Sequence, residues 1–189
     1  MRRTTTLLTI SALMAISGGH ALAQTASTKS PSEDKTLANL PREIHHQILV
    51  LPFYSVFDFI TFTIDGSKVT LRGYVLRHTL KDHAEAAVKS IDGVDSVVNQ
   101  IEILPTLASD DDIRRAVYRM LYEDSALAHY AVQNVPPLHI IVKNGSVSLE
   151  GSTESLADKN LAASLASSAA NVHSLKNNLV VQAKERTAQ

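Results

Sequence analysis

The chain repeats itself. Val69-Thr70-Leu71-Arg72-Gly73 returns as Val147-Ser148-Leu149-Glu150-Gly151, and Asn99-Gln100-Ile101-Glu102-Ile103 returns as Asn177-Asn178-Leu179-Val180-Val181, both 78 residues further on. No gap separates the two anchors. Val94 falls on Val172 and Val97 on Leu175, and upstream Gly66 meets Gly145 after a one-residue adjustment. Self-similarity at a fixed offset means that one supersecondary unit has been copied, so whatever the first half folds into the second must also fold into. The units span 40–104 and 109–182, joined by the connector 105–108.

Each unit carries the same series of signals. In the second, Ser109 with Asp112 three residues on is a helix-start pattern, followed by an apolar stripe of Ile113, Val117, Met120 and Leu121. In the first, Pro41 suits an early helical position, Ile44, Ile48 and Leu51 form the stripe, and Pro52 ends it. Alternating segments then flank a turn: Ile60, Phe62 and Ile64, Asp65-Gly66-Ser67, Val69 and Leu71. The copy has Leu138, Ile140 and Val142, Lys143-Asn144-Gly145, Val147 and Leu149. A period of two around Asp-Gly or Asn-Gly predicts a hairpin. Thr79 with Asp82 and Ser155 with Asp158 open second helices that stop at Gly93 and Asn171, residues that tolerate left-handed backbone. Last strands follow over 97–103 and 175–181. The glycines expected to have structural roles are Gly66, Gly73, Gly93, Gly145 and Gly151.

The expected fold class is therefore α+β: two tandem αββαβ modules, each a three-stranded mixed sheet with two helices on one face. The strand–helix–strand crossover runs right-handed, which leaves the other sheet face open. A module of this size is near the lower limit for a self-sufficient core, so docking of one on the other is expected.

The ends read differently. Arg2 and Arg3, the apolar stretch 7–16 and Ala21-Leu22-Ala23 predict a secretory signal peptide over 1–23. A flexible linker over 24–39 and a tail over 183–189 complete the organisation. Cleavage takes two of 18 basic residues and leaves the 19 acidic ones, a balance that argues against nucleic acid as a partner. With no Cys in the chain, disulfides, zinc-cysteine sites, Cys nucleophiles and a lipid-bearing N-terminal Cys are excluded.

The order of helix, GSKVTLRG or GSVSLEG hairpin, amphipathic helix, and IDGVDSVVNQIEI or AANVHSLKNNLVV resembles the BON domain, twice over. That family is named for bacterial osmotically induced periplasmic and nodulation proteins. The resemblance implies an αββαβ fold, a periplasmic location, no enzymatic activity, no cofactor, and a role in binding phospholipid surfaces or supporting envelope integrity under stress. Gly73 and Gly151 match the family's glycine at the end of the second strand; Asn171 stands where the family has glycine.

No catalytic or metal site is legible. His45 and His46 are adjacent and diverge by about 100° on a helix. No Ser lies in Gly-x-Ser-x-Gly, and Asp110 to Asp112 fit a helix N-terminus better than a calcium loop. Two surfaces stand out. On a helical wheel Arg114, Arg115, Tyr118, Arg119 and Tyr122 gather on the outer arc of the second unit's first helix, a composition suited to the headgroup zone of an anionic membrane. The competing reading is a solvated face whose arginines pair with nearby acids. The four Phe lie between 53 and 62, and alternation sends Phe57 and Phe59, with Tyr74, to the uncovered sheet face. That patch suits an unfolded or envelope protein partner, chaperone-like, or packing against the other unit.

Overall fold

A computed structural model of the chain describes residues 31–182, with side chains from residue 39 onward. The expected signal peptide, the first part of the linker and the tail lie outside the described residues. The first module runs α1 (Pro31–Leu49), β1 (Phe59–Asp65), β2 (Lys68–Val75), α2 (His78–Lys89) and β3 (Ser96–Ile103). The second runs α3 (Ala108–Tyr122), β4 (Leu138–Lys143), β5 (Ser146–Thr153), α4 (Leu156–Ser168), β6 (Ser174–Asn177) and β7 (Val180–Val181), with a short 3-10 turn at Ala128–Val132 after α3. In both, an antiparallel hairpin is extended by a parallel strand reached through a helix, and the registers match: Lys68 opposite Ser96, Ser146 opposite Ser174. The expected last strand over 175–181 is split. Between β6 and β7, Asn178 donates from Nδ2 to Glu150 Oε1 at 2.7 Å while Leu179 is buried, and the line beside β5 resumes at Val180.

Local departures have physical causes. The first helix starts at Pro31, ahead of the expected boundary, so that Pro41 sits inside it on the exposed side and residues 31–39 are helical rather than linker. Pro31 meets the preference for proline in the first turn. The hairpins need no one-residue adjustment. Asp65 pairs with Lys68 and Lys143 with Ser146, so Gly66 and Asn144 are the equivalent positions. The first turn has positive φ at Gly66 (60°), the second at both Asn144 (52°) and Gly145 (76°), two variants of the turns that match strand twist. Of the three expected caps only Ser155 bonds, accepting from the Asp158 amide at 3.0 Å. Arg77 and Leu107 occupy the other N-caps without a side-chain bond.

Gly73 and Gly151 are required by close approach. A Cβ at either would lie 1.9 Å from the Phe59 carbonyl oxygen or 2.0 Å from that of Pro137, with backbone φ of 128° and 98°. Only glycine fits both demands.

Each module has its own core. Leu40, Ile44, Ile48, Val69, Leu71, Val75, Leu80, Ala84, Val88 and Ile101 fill the first, and Ile113, Val117, Leu121, Leu138, Ile140, Val142, Leu149, Ala162 and Ala166 the second. One buried residue crosses over, with the partly buried Phe57 next to it. Val56, in the loop between α1 and β1, is 7% exposed and belongs to the second core, and its carbonyl accepts from the Ile140 amide at 2.7 Å along the outer edge of β4. Lys143 pairs with Glu102 across the same junction.

Candidate functional site

The helical wheel misplaces two residues of the expected cationic face. Arg114 is 2% exposed. Its guanidinium donates to the Val142 carbonyl at 2.7 Å and to Asp111 at 2.5 Å, pinning α3 to β4. Tyr122 is also buried, its hydroxyl donating to the Leu138 carbonyl at 2.5 Å, and burial raises its pKa. Both are corrections to the outer arc. The inner arc of α3 is wider than its apolar stripe because Asp110 and Arg114 extend it, and hydrophobic patterning assigns a charged residue outward by default. Asp110, fully buried, accepts from the amides of Asn144 and Gly145 at 2.8 Å each, so a carboxylate in the first turn of α3 holds the β4–β5 turn.

Three members of the face remain outside: Arg115, Tyr118 and Arg119. Phe57 from the first module joins them, its ring 6.0 Å from Tyr118, which in turn lies 4.9 Å from Tyr122. Together Phe57, Arg115, Tyr118 and Arg119 line a shallow depression of about 360 Å³. Arg115 pairs with Asp112 in the open, an exposed contact that contributes at most about 1 kcal/mol and leaves the cation available. Arg119 makes no ion pair among the described residues. The result is an aromatic floor rimmed by two guanidinium groups, able to seat an apolar segment with a phosphate beside it.

The aromatic sheet face is largely used by the molecule itself. Phe57 packs on the second core, and Phe59 lies 5.4 Å, ring to ring, from His139 of β4. Tyr54 meets the same imidazole at 5.7 Å. Tyr74 is half-buried and lines a hollow with Phe59 and Glu150, again where the modules meet. These residues stand at the junction, the packing alternative of the sequence reading.

The junction centres on His139, which the sequence reading did not single out. It is 6% exposed, and its Nδ1 has no hydrogen bond. Burial pushes its pKa down to about 4 against the pull of the Asp58 and Ser55 carbonyls, so the ring is neutral. Asp58 is buried beside it and accepts from the amides of Leu76 (2.8 Å) and Ser55 (3.1 Å) and from the Ser55 hydroxyl (2.8 Å). Burial nevertheless holds its carboxyl above the usual range. One signal was available: β4 places His139 and Ile141 where an open face would carry polar residues, and a strand apolar on both sides is covered on both sides.

Among the described residues no three His, Cys, Asp or Glu side chains gather as a metal site, and no helix is long and apolar enough to cross a membrane. No curated protein matches the chain closely enough to count as a relative. Among solved structures it is similar to CdsD, a structural protein of the type III secretion system of Chlamydia trachomatis. Identity is 15% over 78% of this chain and 94% of that one, with a TM-score of 0.30. A second structure, the C-terminal domain of CdsD, gives 15% identity, 76% and 98% coverage and a TM-score of 0.28. These likenesses are too loose to carry an argument. The BON domain family model matches residues 57–105 and again 109–183, each span holding one copy of the sheet and its crossover helix. The chain is a tandem double-BON protein and belongs to the BON domain family.

Proposed function

We propose that this protein is a non-enzymatic envelope protein of the periplasm that associates peripherally with anionic phospholipid surfaces through Phe57, Arg115, Tyr118 and Arg119. BON domains are associated with the periplasm and with phospholipid binding, which gives the reading its frame. The observation that carries it is the depression on α3, where two exposed guanidinium groups flank two aromatic rings. Guanidinium forks match phosphate oxygens, and phenol and phenyl rings sit at the boundary between headgroup and acyl chain. Arg114 and Tyr122 do not take part because both are buried and donate to backbone carbonyls of β4.

Cosedimentation with phosphatidylglycerol-containing vesicles tests the reading. Each cation near an anionic surface contributes about 1 kcal/mol, so the double change Arg115→Ser and Arg119→Ser weakens binding by about tenfold or more. High salt weakens the unsubstituted protein's binding in the same direction. Binding indifferent to the substitutions, to salt and to the fraction of anionic lipid rejects the proposal.

A further inference from the structure

The loop between α1 and β1 contains a residue that folding alone does not account for. The Tyr54 amide donates to the Leu51 carbonyl at 3.2 Å, closing a turn with Pro52 and Phe53 at its centre. Phe53 has φ of 68°, the left-handed value that the third position of a type II turn demands and that Gly or Asn ordinarily supplies. A bulky side chain there is a backbone outlier, and such outliers point towards function when the side chain does nothing for the core. Phe53 does nothing for the core: it is 69% exposed, beside an exposed Val50 and Leu49 at the end of α1. Among the described residues a cation lies against its ring, the Arg77 guanidinium, 4.8 Å from the ring centroid. An aromatic ring raised on a strained turn, with apolar neighbours and a cation against one face, has the composition of a membrane-interface contact rather than of a solvated loop. Four residues along the same loop is Phe57, in the lipid depression on α3, so the two points are joined by one short segment.

We propose that the turn around Phe53 is a second membrane contact, in which Phe53 and Val50 enter the headgroup–acyl boundary of an anionic bilayer while Arg77 meets a phosphate. This rests on the phospholipid reading above and names an element that the reading does not use. Leu51 and Tyr54 seat the ends of the turn on the first core while Phe53 stands clear of it, so the loop adds depth to binding that the α3 cations steer.

The chain has no Trp, so Phe53→Trp puts a single indole reporter at the turn. Vesicles of phosphatidylethanolamine and phosphatidylglycerol are expected to shift its emission to the blue, and acyl chains brominated near the headgroup to quench it. Phe53→Asn suits the left-handed backbone, so it is expected to fold at least as stably by urea denaturation. It should also partition onto the same vesicles about tenfold less, what burying part of one aromatic side chain contributes. Unchanged Trp emission in protein that cosediments, or Phe53→Asn binding as tightly as the unsubstituted chain, overturns the second contact and leaves the α3 site standing. Failure of the unsubstituted protein to cosediment overturns both. A blue shift that grows with protein concentration without vesicles assigns the turn to a second copy of the chain and overturns the lipid contact.

Discussion

In the first module the strand that enters the sheet alternates as an open sheet requires: Ile60 is buried, Thr61 and Thr63 are exposed, and Phe62 and Ile64 pack inward. Its counterpart in the second module does not. Leu138, Ile140 and Val142 face the helices as expected, yet His139 and Ile141 on the opposite side are buried too. The helices above these strands differ in the same sense. On α1, Leu40, Ile44 and Ile48 are the buried seat, and all are apolar. On α3, Ile113, Val117 and Leu121 are joined by Asp110 and Arg114, each bonded to backbone of the hairpin beneath. One ancestral pattern has thus diverged into a module built from apolar seating and a module built from seating plus fixed polar anchors, whose edge strand β4 is covered on both sides. A helix held by directional bonds has its rotation fixed, which is what keeps Arg115, Tyr118 and Arg119 pointed away from the core.

The sharpest way to break this contrast is to cut the anchor. Arg114→Ala leaves the Val142 carbonyl buried without its donor, which costs about 1–3 kcal/mol, and a cavity beside it that adds to the loss. The change Ile44→Val in α1 removes one methylene from an all-apolar seat and costs about 1 kcal/mol. Urea unfolding of both variants gives the comparison directly. Equal losses would mean that the polar anchor adds no more than ordinary packing.

That anchor is also where the sequence stopped being legible. The repeat, the hairpins and the crossover helices could be read because period-two and helical stripes report which side faces the core, and the two copies corroborated each other. Arg114 and Tyr122 could not be placed, since a wheel ranks residues by hydrophobicity and has no means of seeing that the Val142 and Leu138 carbonyls need donors. Arg115, Tyr118 and Arg119 were legible as an exposed group, whereas the presence of Phe57 among them depends on how the modules dock, which local patterning does not encode. The strain at Phe53 was hidden for a different reason. A Pro-x turn is visible in sequence, but a Phe in the place of glycine reads as an argument against the turn that forms.

A smaller effect sharpens the difference between the two sheets. His139 is held neutral with a folded pKa of about 4 against about 6.5 when unfolded. Its folded pKa is depressed, so the unfolded chain binds more protons, and the stabilisation present at neutral pH is lost as pH falls from about 6.5 towards 4. Asp58 next to it acts in the opposite sense: its folded pKa is raised, so its contribution is present at low pH and lost as pH rises through that value. Arg77 acts on Asp58 by charge, and His45 lines the hollow between the modules. Comparing the protein with His139→Asn subtracts all three. Between about pH 7.5 and pH 5 the unsubstituted protein is expected to lose about 2 kcal/mol more than the variant, read from urea midpoints. Parallel pH profiles would mean that His139 is reached by water in the folded chain and that β4 is open like β1.

The mildest test concerns Val56, the residue that crosses between cores. If the second module were complete in itself, trimming a side chain in the first module's loop would leave it untouched. Val56 instead sits among the second core's residues while its carbonyl holds the Ile140 amide. Val56→Ala removes two methyl groups from that core and costs about 1.5 kcal/mol. The place where the loss is felt matters more than its size. Amide hydrogen exchange should accelerate at Ile140 and its neighbours in β4, and leave Val69 and Leu71 in β2 of the first module nearly unchanged, because the latter belong to a core that Val56 does not enter. Acceleration confined to the loop itself would make the junction a surface contact and each module autonomous. Acceleration in β4 makes the α1–β1 loop a structural part of the second module, which is why the same loop can bring Phe57 to α3.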